Sequence, residues 1–186
     1  ELSNNYYADV TAIKNEYGSL KGVNAVGTIQ GEDGENITVF DQYQNKLKET
    51  LESYQAKASN GTAKYIFEKK ASVYTRSGLN DMTAHSIKEQ RNYRETGIKS
   101  SIELSKSGAK GAYKTWNNPE GEFRLHYGKG LADITELAIL NGWNIDPNME
   151  DINGNKIGIS SQYLEAIEKY NKDVLEDVIK SFDDTK

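Results

Sequence analysis

His126 and Arg124 are the residues in this chain best suited by type and spacing to do chemistry. Imidazole changes charge near neutral pH and serves as a general base, and a neighbouring guanidinium would hold an anion. The alternation Phe123, Leu125, Tyr127 against Arg124, His126 reads as a strand. On a strand, Arg124 and His126 would share the outward face, with Tyr113 and Lys114 on the opposing strand as further partner-binding candidates. Asp133 and Glu136, a little downstream, are the carboxylates available to orient the imidazole. A hydrolase or transferase acting on an anionic or sugar substrate would be built from this set. The set lacks a marked nucleophile, and catalysis needs positioned partners.

A second constellation is the run Asp146 to Asn155, where Asp151, Asn153 and Asn155 place oxygens at alternate positions. A hard cation takes six to eight such oxygens. With Asp151 at position one, the pattern requires glycine at six and a carboxylate at twelve, and Lys156 and Gln162 stand there. The alternative reading is a polar turn in which Asn and Gly supply positive φ. The turn is the preferred reading, so no metal or cofactor is expected from the sequence, and a calcium-dependent module using the Asp146–Asn155 loop stands as the third, alternative function.

Three weaker features complete the inventory. Gly128-Lys129-Gly130 lacks the longer spacing of a phosphate loop and reads as a turn. His85 and Glu89, four apart on a helix, read as a surface hydrogen-bonded pair. Lys88, Arg91, Arg94 and Lys99 form a mild basic strip answered by Glu89, Glu95 and Glu103, the pattern of a solvated helix face.

The elements that must position these groups are mostly helices. Tyr6, Val10, Ile13 and Tyr17 recur at helical steps, so Leu2–Tyr17 is expected helical. The same holds for Ile37–Ala58, where Asn36 or Thr38 is the cap and Asn60-Gly61 the stop. Further helices are expected over Asp81–Ser105, exposed or broken near Gly97, over Leu131–Asn141, ended by Gly142, and over Ser161–Phe182. Residues 19–30 read as loop or weak strand, and residues 63–76 lean to strand. Ala112–Trp116 and Phe123–Tyr127 read as a hairpin closed by Asn117–Glu122. The sum is an α+β fold, mainly helical, forming a single domain over 1–186 with a small antiparallel hairpin. The six tyrosines on helical stripes, Tyr6, Tyr17, Tyr43, Tyr54, Tyr163 and Tyr170, fall in register with Leu, Ile and Val and read as core.

Composition narrows the function classes. Without cysteine there are no disulfides, zinc–thiolate sites or thiol nucleophiles. A net charge of -5 without a basic field argues against nucleic acid as partner. No apolar run reaches the roughly 18 residues of a membrane span. Mean hydropathy is -0.76 and the 12 tyrosines outnumber the other aromatics, which fits thin layers with wet rims. The abundance of Asn, Lys and Tyr points to a low-GC bacterial or phage source. Glu1 in place of a starting Met fits a mature product with its leader removed as well as an arbitrary boundary. The expectation that best joins these readings is a non-enzymatic interaction domain, exported or surface-exposed, with a protein or glycan partner.

Overall fold

The computed structural model describes residues 1–30, 34–114 and 118–183, with side chains up to residue 180. Among the described residues the protein is mainly helical, with one two-stranded antiparallel sheet. Its order is α1 (Leu2–Gly18), α2 (Val23–Val26), β1 (Thr28–Gln30), β2 (Asn36–Thr38), α3 (Val39–Ala56), α4 (Gly61–Ala112), α5 (Pro119–Leu140) and α6 (Ser161–Asp183). Packing resolves two compact units, Glu1–Tyr93 and Arg94–Lys186, each with its own hydrophobic cluster.

In the first unit, α1 and α3 pack together over the first part of α4. Tyr6, Tyr43, Leu47, Phe67 and Met82 are its largest fully buried side chains. Tyrosine serves as a core residue here in part because buried hydroxyls such as those of Tyr6 and Tyr54 find partners. Tyr6 bonds Thr75 at 2.6 Å and Tyr54 donates to Asp9 at 2.6 Å. Thr38 caps α3 in a reciprocal box with Asp41, so the helix starts two residues later than the periodicity suggested. The preceding residues pair instead as the sheet, with Ile29 opposite Ile37.

Two expectations are corrected in α4. Residues 63–76 are helical, because the buried face runs Phe67, Ala71, Gly78, Met82 and two of those four are too small to show in a hydrophobic pattern. Asn60 does more than stop α3: its side chain accepts from Ala63 N at 2.8 Å and so opens α4. The helix passes Gly97 unbroken.

The hairpin over Ala112–Trp116 and Phe123–Tyr127 is also corrected. Ala112 ends α4, Tyr113 and Lys114 form a turn, and residues 115–117 lie outside the described residues. Phe123 to Tyr127 belong to the second and third turns of α5. The segment taken for a hairpin loop is a helix start: Asn118 accepts from Gly121 N, Pro119 fills the first turn, and Glu120 and Glu122 face the positive end of the helix dipole. At the other end, Gly142 at φ 69° closes α5, with Trp143 N bonded to Ala138 O and Gly142 N to Ile139 O.

The second unit is a three-helix packing of the end of α4 with α5 and α6, around Ala109, Ile134, Tyr170 and Val174. Lys106 and Lys110 of α4 reach Asp173 and Asp177 of α6 at 3.1 and 2.7 Å.

Two helix contacts in this unit depend on glycine. The His126 ring lies against Gly108, and the Tyr170 ring lies against Gly130 where a β-carbon would stand. Across the first unit, Gly78 makes the same room for the Tyr43 hydroxyl.

Candidate functional site

The helical period disperses the set expected around His126. Residues two apart share a face on a strand but diverge by about 200° on a helix. Arg124 therefore points away from His126 and pairs with Glu120 at 2.6 Å, both well exposed. His126 is half-buried with its ring flat on the α4 backbone at Gly108. Asp133 lies two turns further along α5 and pairs with Lys129 at 2.8 Å. Glu136 pairs with Arg94 of α4 at 2.7 Å. Tyr113 packs on Phe123 with ring centroids 5.5 Å apart, and Lys114 stays exposed in the turn.

The calcium-like loop has its own internal use for its oxygens. Asp151 Oδ1 accepts from Asn153 N at 2.8 Å and Asn155 N at 2.9 Å, while Oδ2 accepts from Asn155 Nδ2 at 3.1 Å. These donors hold the Asp151 carboxyl below the usual carboxylate range. Asp146 Oδ1 accepts from Asn148 N at 2.8 Å. Asn144 ties the ends together, donating from Nδ2 to the carbonyls of Asp146, Ile157 and Gly158. The arrangement is a closed Asx turn with Gly154 at φ 79°. Among the described residues, no group of three or more His, Cys, Asp or Glu side chains converges as a metal site would need.

His85 and Glu89 do not bond each other as expected. His85 Nε2 lies 3.0 Å from Leu20 O, and Glu89, buried, accepts from Gly22 N at 3.0 Å. Both side chains of α4 clasp the connector between α1 and α2. That backbone bond, first, and the nearby His85, after it, keep the Glu89 carboxyl below its usual range. Nothing in the spacing of His85 and Glu89 could have shown a partner sixty-seven positions away.

The hollows of the surface are modest. The one of about 550 Å³ lies between α1, β2 and α3 and is lined by Glu16, Glu49, Tyr17 and Lys46. Lys46 bonds Glu16 at 2.9 Å and sits 5.6 Å from the Tyr17 ring centroid, so its charge is already answered. In the second unit, a crevice of about 280 Å³ is walled by Ile102, Ile134, Leu137 and Tyr170, with Lys106 held at its rim by Glu103 and Asp173.

The feature that sequence reasoning missed is the outer face of α4 in the first unit. Ile66, Val73 and Ile87 are 51%, 64% and 62% exposed. With Asn80, also exposed, they recur every seven residues, so one helix face carries them in line. Lys69, Lys70, Arg76 and Lys88 flank this line, and none of them forms an ion pair with another described residue. The signal was present as the sevenfold recurrence, but the strand reading of 63–76 hid it. No described helix is long and apolar enough to cross a membrane.

Compared with known proteins, the chain matches no family model, no curated protein and no solved structure.

Proposed function

We propose that this chain is a non-enzymatic interaction domain that docks a protein partner on the outward face of α4 in its first unit. One observation carries the reading: aliphatic side chains at Ile66, Val73 and Ile87 stand more than half exposed in heptad register. Scattered exposed apolar residues need no explanation, but an aligned row on a helix is how helices recognise one another. The dispersal of His126, Arg124, Asp133 and Glu136 into separate structural pairs and contacts supports a binding role over a catalytic one. A protein is favoured over a glycan because the row itself is aliphatic, with Tyr65 the one exposed ring beside it, whereas sugar faces are met by several aromatic rings and hydrogen-bonding side chains.

The test places a photocrosslinking amino acid at position 73, with a second chain carrying it at exposed position 168 as control. A single adduct of defined mass from position 73 is expected. It should be absent from the control and lost when Ile66 and Ile87 are replaced by serine at unchanged melting temperature. Turnover of a phosphate or glycoside ester that His126→Ala abolishes would overturn the reading, as would equal adducts from both positions.

A further inference from the structure

Resting on the reading of α4 as a docking face, we infer that the partner presents an acidic amphipathic helix. The inference comes from the charge that borders the aliphatic row. Lys69 and Lys70 lie on either side of the line between Ile66 and Val73, Arg76 follows one turn on, and Lys88 adjoins Ile87. The carboxylates nearest this face are engaged elsewhere. Asp81 is held by Lys14 at 2.9 Å, Glu68 accepts from Gln55 at 3.0 Å, and Glu89 turns inward to Gly22. Many of the chain's other cations are paired, among them Lys14, Lys46, Lys106, Lys110, Arg124 and Lys129. The row is thus a local positive strip on a chain whose net charge is -5.

Geometry and charge together select the occupant. A helix laid along α4 at a shallow angle returns to the same stripe every second turn, the spacing of Ile66, Val73 and Ile87, and meets mostly polar or charged side chains such as Lys70 and Ser77 in between. Asn80 occupies the one polar place in the series, a device that fixes register in paired helices. A second copy of this chain would set Lys69, Lys70 and Arg76 against their own equivalents, and like charges across a helix pair repel. A lipid surface would receive only three aliphatic side chains, interrupted by an amide, with Tyr65 the single exposed aromatic beside them, where an interfacial helix carries a continuous apolar face. Glutamates flanking a leucine or isoleucine seam answer every part of the strip: apolar row, amide and cations.

The experiment uses the whole chain and two synthetic peptides of four heptads with leucine at the seam. One carries glutamate at the flanking positions and the other lysine. Fluorescence anisotropy should show saturable, salt-sensitive binding of the glutamate peptide and none of the lysine peptide. Charge reversal, Lys69→Glu with Lys70→Glu, should weaken binding about tenfold or more, since flanking charges govern encounter and register. Val73→Asp should abolish it, with circular dichroism unchanged in both variants. Failure of the glutamate peptide to bind, or equal binding of both peptides, would overturn the acidic class. So would association with phosphatidylglycerol vesicles, or a concentration-dependent dimer, that Val73→Asp removes. A specific adduct from position 73 without glutamate-peptide binding would leave the docking face standing and remove only the acidic partner.

Discussion

At the scale of single residues, the first core is unusual in leaving one phenol unanswered. Tyr43 is fully buried, and its hydroxyl has no hydrogen-bond partner among the described residues. An unsatisfied buried polar group costs roughly 1–3 kcal/mol, so Tyr43→Phe should raise unfolding free energy by about 1 kcal/mol in urea titrations. Burial, with the Asp81 charge behind it, pushes the Tyr43 phenol up to about 12. The neutral phenol is thus favoured in the fold. Its stabilisation is complete below the ordinary phenol value of about 10 and is lost as pH rises from there towards the folded value. The alkaline fall in urea midpoint should be shallower in the Tyr43→Phe protein. Glu89 has the opposite sign. Its carboxyl is depressed by the Gly22 amide, so its contribution is present above the usual carboxylate range and disappears as pH falls below it. Melting curves of Glu89→Gln should therefore converge on those of the parent under acid conditions and lie below them at neutral pH.

At the scale of elements, glycines of opposite consequence sit in the helices. Gly130 is covered by the Tyr170 ring, whereas nothing approaches the place of a β-carbon at Gly97. Alanine gains about 1 kcal/mol over glycine in a helix interior, and overpacking a buried contact costs roughly 1–3 kcal/mol. The balance predicts that Gly97→Ala raises the melting temperature and Gly130→Ala lowers it. The 141–160 connection carries a prediction of its own. Asp151 already accepts three hydrogen bonds within its turn, so millimolar calcium and a chelator should give the same melting curve, whereas bound calcium would shift it upward. The elements legible in advance were those with large side chains in period. Tyr6, Val10, Ile13 and Tyr17 in α1, and Tyr170, Val174 and Val178 in α6, bury the face their spacing assigned. The first half of α4 was illegible because Ala71 and Gly78 hold its buried stripe. The start of α5 was misread because Phe123, Leu125 and Tyr127 alternate by coincidence, and Asn118-Pro119 signals a helix start as well as it signals a turn. His85 and Glu89 bond backbone far away in sequence, which no local pattern encodes.

At the scale of the whole molecule, 76% of the described residues are helical, so far-UV circular dichroism should read about three-quarters helix. A spectrum with substantial strand content would return residues 112–127 to the hairpin reading. The candidate site is likewise a whole-helix property. No single residue of the row is notable, and only the continuity of α4 from Ile66 to Ile87 places Ile66, Val73, Asn80 and Ile87 in line. The same helix meets the core through Phe67, Ala71, Gly78 and Met82 on another face. Two faces read from one register leave little tolerance for indels. Inserting or deleting one codon between those for Val73 and Ile87 turns everything beyond it by about 100°. Where such a frame-preserving lesion falls before Met82, it would pull Met82 out of the interior and Ile87 out of the row together. Only a change of seven residues, two full turns, would nearly restore both alignments at once, so natural length variation should fall in the connections and leave this stretch of α4 constant in length.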